Sequence, residues 1–214
     1  TTIEIGKNGR MLYINQLPIY LGFPTVESKG QLFIATADYK QVLQPILTPQ
    51  AFKERPGIRR IVVDAGHGGK DSGARNDAYG LLEKNLTLDV ARRLKALLER
   101  AGFEVVMTRD SDVYIPLAQR PKVANRAKAD LFVSLHFNAA GSTSASGFES
   151  YALTPQHQAS SKYPRPTSRN AKHYPGNDQD PWTALITSHL ERELVQRLGG
   201  PDRGVKRARW SVFK

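Results

Sequence analysis

Between Ile58 and Leu153 short apolar runs alternate with amphipathic or polar stretches, and this rhythm constrains the fold more than any other feature. Ile58–Ala65 (IRRIVVDA) is an apolar run ending in glycines, which suits a buried strand. Glu83–Ala101 carries Leu86, Val90, Leu94, Leu97 and Ala101 at spacings of three and four, so one helical face is apolar, and Gly102 follows as a C-terminal cap. Phe103–Thr108 reads as a second strand. Leu117–Lys128 reads as a second helix, which Pro121 either starts or kinks. Leu131–Phe137 and Phe148–Leu153 are further strands. Trp182–Leu198 is a last helix, with Trp182, Leu185, Ile186, Leu190, Val195 and Leu198 expected to face the core. Strand and helix alternating over short connections predict an α/β fold, a mostly parallel sheet flanked by helices. Ligands of such sheets collect at the carboxyl ends of the strands.

Two regions break the rhythm. Residues 1–50 hold short strand-like runs at Met11–Ile14 and Leu32–Ala35, turn signals at Gly22-Phe23-Pro24 and Lys29-Gly30, and one or two helical turns in Tyr39–Leu47. They form a small β-rich N-terminal module, too small for a robust core of its own. The proline-containing stretch Thr48–Gly57 supplies a linker, 51–57, ahead of a larger domain, 58–214. Thr154–Pro181 is polar and almost free of aliphatic residues, which predicts a long loop or flap.

Composition removes several classes of protein. There is no cysteine, so thiol catalysis, cysteine-ligated metal and disulfide scaffolds are excluded. No apolar run is long enough for a membrane span. The chain opens Thr1-Thr2-Ile3-Glu4-Ile5 without a charged-then-apolar leader, as a mature or trimmed fragment would. Thirty-one Lys and Arg against twenty Asp and Glu give a net charge of +11, a surface suited to a polyanion such as an anionic cell-wall polymer. The cations are dispersed along helices and not interleaved with stacking aromatics, which argues against nucleic acid.

The chemistry gathers at strand ends. The first strand runs into Asp64-Ala65-Gly66-His67-Gly68-Gly69, and glycines there let the backbone turn and raise an imidazole to the sheet edge. The third ends in Ser134-Leu135-His136-Phe137-Asn138, and period-two alternation places His136 on the face of Ser134 and Asn138. Glu83 opens the first helix. Two imidazoles and a carboxylate at one rim are what a catalytic zinc needs, with a fourth position left for water. Each also has a plainer reading: a hydrogen-bonded strand-end histidine, or an acid at the positive end of a helix dipole. His157 and His173 read as solvent-exposed and His189 as structural. A phosphate-binding loop fails at Asp64, where glycine is required; a hydrolase nucleophile elbow and a His-Glu-x-x-His helix are both absent.

The segments IVVDAGHGGKDSGA, EKNLTLDVARRLKALLERAGFEVVMTRDSD, LAQRPKVANRAKADLFVSLHFNAA, GFESYAL and DRGVKRA closely resemble, in order and spacing, the zinc-dependent N-acetylmuramoyl-L-alanine amidases of the amidase-3 type. The resemblance covers about 58–153 and 182–214. It implies Zn2+ bound by His67, Glu83 and His136, and hydrolysis of the amide joining N-acetylmuramic acid to the first L-alanine of peptidoglycan. It further implies a periplasmic or extracellular monomer, with peptidoglycan as partner and an activator protein as a second possible one. In that family a catalytic glutamate follows the RGVK-like segment, within a motif of the kind L-V-E-x-G-F. This sequence reaches Trp210-Ser211-Val212-Phe213-Lys214 before such a motif, so the resemblance places the final strand and that glutamate beyond Lys214 and assigns no catalytic residue here. Glu149 matches no catalytic position. The expectation is a polypeptide that binds zinc and hydrolyses poorly by itself; the alternative is an inactive peptidoglycan-binding protein with the amidase fold. Thr154–Pro181 stands where some members carry a covering segment, and its composition favours a flexible rim over an inhibitory helix.

Overall fold

The computed structural model describes residues 1–51, 57–138 and 146–213. Most of the expected linker, and Ala139 and Ala140 of the LHFNAA segment, lie outside the described residues. In chain order the elements begin with strands β1 (Ile3–Ile5), β2 (Met11–Ile14) and β3 (Leu17–Tyr20), then the hairpin β4 (Val26–Ser28) and β5 (Gln31–Phe33). Helical turns α1 (Thr36–Asp38) and α2 (Gln44–Leu47) flank a π-helical stretch, Tyr39–Leu43. Pro45 does not end the run: the π-helical stretch closes with the Gln44 N–H on the Tyr39 carbonyl and passes directly into α2, which contains Pro45. There follow β6 (Arg60–Ala65), the two-residue strands β7 (Arg75–Asn76) and β8 (Leu81–Leu82), α3 (Glu83–Arg100), β9 (Glu104–Met107), α4 (Arg120–Ala127) and β10 (Leu131–Leu135). The chain continues through β11 (Phe148–Leu153), α5 (Asp180–Leu198) and β12 (Asp202–Ala208).

Contacts divide the chain into two compact units, residues 54–143 and residues 1–53 with 144–214. These units cut across the expected partition into 1–50 and 58–214. The cause is strand pairing: Val205 of β12 pairs in parallel with Ile19 of β3, so the N-terminal strands extend a sheet begun by the C-terminal ones. That sheet runs β1-β2-β3-β12-β11, antiparallel among its first three strands and parallel thereafter. Its core is Leu12, Ile14, Leu17, Ile19, Leu21, Val42, Leu43 and Val205.

Unit 54–143 holds the all-parallel sheet β10-β6-β9. The chain leaves the central strand β6 toward β9 and then crosses back to β10, so right-handed crossovers put α3 and α4 on opposite faces. Residue parity agrees. Ile61, Val63 and Ala65 pack with Ala91, Leu88, Leu94 and Leu98 of α3, whereas Asp64 meets Arg120 of α4. Pro121 starts α4, preceded by a 3-10 turn at Leu117–Gln119.

Two helices present faces other than those expected. In α3 the buried line is Glu83, Thr87 and Ala91, continued by Leu94 and Leu98, while Val90 and Leu97 are exposed. Because Glu83 is drawn inward at the first turn, the residues stacked beneath it at intervals of three and four follow. In α5 the buried positions are Asp180, Ala184, Thr187, Ser188 and Glu191, and Leu190 and Leu198 are exposed. The inward face is polar because it has polar partners: Ser150 of β11 donates to Glu191 at 2.6 Å. Thr154–Pro181 contains two short 3-10 turns, Ser168–Ala171 and Pro175–Gln179, before α5 begins at Asp180, and it is tied down and not a loose flap. Arg10 donates to the carbonyls of Ala159, Ser160 and Tyr163, and Asn177 donates to that of Thr154.

Candidate metal centre

The site lies where β6 and β10 end, beside the start of α3, wholly within unit 54–143. This is the switch point of the parallel sheet, where successive crossovers diverge and leave a crevice. His67 follows β6 with φ of +62°, a left-handed conformation uncommon for a non-glycine residue. The strain is held by bonds on both sides of it. Arg109 donates to the carbonyls of Ala65 and Gly66 at 2.9 and 2.8 Å, and Arg120 to those of Ala65 and His67 at 2.8 Å each. Both arginines are buried. Arg120 also pairs with buried Asp64 at 2.7 Å, and Asp64 accepts bonds from Thr108 and Ser134 as well. The His67 turn therefore rests on a satisfied polar network one layer below it.

Glycine is required at two points around the imidazoles. A Cβ on Gly66 would lie 2.5 Å from Cε1 of His136, and one on Gly73, whose φ is +64°, would lie 2.6 Å from Cδ2 of His67 and 2.8 Å from Oε2 of Glu83. Strand β10 ends at Leu135, so His136 stands just past the strand and Asn138 turns into the left-handed region; the expected alternation stops short of them.

His67, Glu83 and His136 come together. Nε2 of His67 is 3.1 Å from Nδ1 of His136 and 3.2 Å from Oε2 of Glu83, and Nδ1 of His136 is 3.2 Å from Oε1 of Glu83. The rings meet edge to face, with an interplanar angle of 82°. Tetrahedral zinc with bonds near 2.0–2.1 Å holds its ligand atoms about 3.3 Å apart. The two nitrogens stand at that spacing and each meets a different oxygen of Glu83 at 3.2 Å, so one ligand atom from each residue falls within 4.8 Å of the others. The donor chemistry fits as well. Nδ1 of His67 lies 3.0 Å from Asp71, and donating its proton there leaves Nε2 with a lone pair aimed at the cluster. A proton on Nδ1 of His136 bridges that nitrogen to Glu83, and a divalent cation bound by the three groups would take the place of that proton.

Glu83 is an anion in this setting. Burial pushes its carboxyl up, but the bond with His136 and the N–H groups of Ala74 and Phe137 outweigh burial and hold it well below the ordinary carboxylate range. His157, His173 and His189 are exposed and take no part, and His173 pairs with Asp178. Glu149 belongs to the other unit and is bound by Arg203 and Lys206. Sequence reasoning passed over Asp64, Asp71, Arg109 and Arg120. For Asp64 and Arg109 the signal available was a charged residue inside or just after a strand of a parallel sheet; Asp71, half exposed, and Arg120, on a helix, carried no such signal.

Residues 61–214 match the Amidase_3 family, described as N-acetylmuramoyl-L-alanine amidase, and the chain belongs to that family. Over 154 residues it is 36% identical to the N-acetylmuramoyl-L-alanine amidase LytC of Bacillus subtilis, a match covering 72% of this chain and 26% of that protein. It is 47% identical over 155 residues to the endolysin of Bacillus phage SPP1, covering 72% and 49% respectively. The catalytic domain of CwlV, an N-acetylmuramoyl-L-alanine amidase from Bacillus (Paenibacillus) polymyxa var. colistinus, superposes with a TM-score of 0.57 at 28% identity, over 73% of this chain and 74% of that one. The chain thus spans a quarter to a half of the length of these two curated relatives.

Proposed function

We propose that the protein is a zinc-dependent N-acetylmuramoyl-L-alanine amidase, cutting the amide between the lactyl group of N-acetylmuramic acid and the L-alanine of the stem peptide. The observation that carries this reading is the convergence of one ligand atom each from His67, Glu83 and His136 within 4.8 Å of one another, the two ring nitrogens 3.1 Å apart and each 3.2 Å from an oxygen of Glu83. Zinc at such a site supplies Lewis acidity, which polarises a carbonyl and acidifies water toward neutral pH. The chain's own residues do the rest of what is visible. Asp71 fixes the His67 tautomer and ring plane, and the N–H groups of Ala74 and Phe137 keep Glu83 ionised and oriented. Arg109 and Arg120 clamp the loop carbonyls, so the imidazole of His67 is held before any substrate arrives.

In this reading residues 58–214 contribute the catalytic domain and 1–50 an accessory module. Peptidoglycan as substrate places the protein outside the cytoplasm, in the periplasm or beyond the cell, where a net charge of +11 suits an anionic wall. Among the described residues no helix is long and apolar enough to cross a membrane. The test pairs metal analysis with digestion of purified sacculi by the purified protein. The expected result is one zinc per chain and release of stem peptides with a free L-alanine amino terminus, both abolished in His136→Ala. Zinc-loaded protein that cuts glycosidic or peptide–peptide bonds instead would overturn the assignment.

A further inference from the structure

Unit 1–53 with 144–214 carries a second concave site. Ile19 and Val205 face the core, so period-two alternation turns their neighbours Tyr20 and Lys206 to the opposite face of the sheet. Lys206 pairs in register with Tyr151 of β11. The sheet therefore shows a row of Tyr20, Lys206 and Tyr151, with the ammonium 5.7 Å from the centre of the Tyr151 ring. Trp210 leans on Tyr151 at 4.4 Å between ring centres and remains half exposed. Residues 160–163, Thr167, Arg169 and Asn170 line the same open cleft of about 420 Å3, a volume suited to one or two sugar rings.

The cavity lining has one sign of charge. Lys162, Arg169, Lys206, Arg207 and Arg209 contribute cations, and among the described residues no acidic side chain lines it. Glu149 engages Lys206 from outside the lining and engages Arg203 as well. Arg209 donates from Nη1 to the carbonyls of Arg169 and Lys172 and from Nη2 to Oδ1 of Asn177, yet its Nε is buried with no hydrogen-bond partner. Exposed Lys162 and Arg169 stand at the rim beside half-exposed Tyr163. Flat aromatic faces pack against the apolar faces of sugar rings, and cations at the rim select rings that carry acidic substituents.

We infer that this cavity binds an anionic saccharide, specifically a glycan whose sugars carry carboxylates. The inference rests on the proposed amidase activity, because hydrolysis of the lactyl amide leaves a carboxylate on each N-acetylmuramic acid. The preferred ligand is then the peptide-free glycan that the reaction produces, held at a place separate in sequence and unit from the metal ligands.

Calorimetric titration of the metal-free chain tests this independently of hydrolysis. Its arms are peptide-free glycan strands, a neutral N-acetylglucosamine oligomer of equal length, and polyphosphate. Trp210→Ala and the double variant Lys162→Ala/Arg169→Ala alter exposed positions, with far-UV circular dichroism as the check on folding. The expected result is saturable binding of the carboxylated glycan, weakened about tenfold by each variant, with the neutral oligomer binding at least about tenfold more weakly. His136→Ala, which removes a proposed metal ligand, should leave this affinity unchanged. Equal affinity for neutral and carboxylated strands, tighter binding of polyphosphate than of glycan, or indifference to both variants would overturn the inference. Should the amidase assignment fail while glycan still binds here, the site stands; should glycan not bind while zinc-dependent cleavage persists, only the site falls.

Discussion

Replacing Arg120 by methionine tests whether the metal loop depends on the polar layer beneath it. The side chain is buried, and its guanidinium makes a 2.7 Å ion pair with Asp64, which is itself inaccessible to solvent. The same group donates to the carbonyls of Ala65, His67 and Ile115. Methionine approximates the volume and leaves the Asp64 carboxyl group buried and held by only the hydroxyls of Thr108 and Ser134. Removing one partner of a buried pair costs about 3–5 kcal/mol, chiefly the uncompensated charge. For a chain of this length that corresponds to a fall in melting temperature of roughly 6–20 °C. Asp64→Asn in the same chain removes the stranded charge, so the double variant should melt above Arg120→Met, with a coupling of about 1–3 kcal/mol. Zinc affinity, read by competition with a chromophoric chelator, should weaken in Arg120→Met because the His67 carbonyl loses its anchor. An Arg120→Met protein that melts like the parent, or a double variant whose loss equals the sum of the single losses, would refute the reasoning.

Three further outcomes follow from particular contacts. Asp71→Asn keeps the shape of the acceptor for His67 Nδ1 but removes its charge, and zinc affinity should drop about tenfold in chelator competition, the low end for such a partner because Asp71 is half exposed. Gly73→Ala places a methyl within 2.8 Å of both His67 and Glu83 at a φ of +64°, so zinc binding should be lost while the circular dichroism spectrum persists. Burial pushes the carboxyl of Asp180 up to about 6 and that of Glu191 up to about 7, against Asn177 and Ser150 bonds that pull down. Groups whose folded pKa is raised stabilise most below the unfolded value and lose that contribution as pH climbs through the folded one. The urea midpoint should therefore fall between pH 5 and pH 8, and Glu191→Gln should flatten part of that fall; a midpoint rising over the same range would contradict it.

What the sequence made legible, and what it did not, separates along a physical line. Strand-end histidines and a helix-opening glutamate are readable because a parallel sheet gathers its carboxyl ends, and His67, Glu83 and His136 do meet there. The helix faces were misread for a single reason. Apolar periodicity identifies the buried stripe only when burial is driven by apolar area, and here buried polar groups set the rotation. Glu83 turns inward toward the imidazoles, so Thr87 and Ala91 take the places expected of Leu86 and Val90. Glu191 turns inward toward Ser150, so α5 leaves Leu190 outside. The pairing of β12 with β3 was invisible for another reason. It joins residues nearly two hundred positions apart through backbone bonds that no local pattern records. Asp64 in an apolar strand, however, was a clue of a different kind. A carboxylate at a fully buried position requires a cation or donors close by, and asking which arginines could supply them leads to Arg120 and from there to the loop that carries His67.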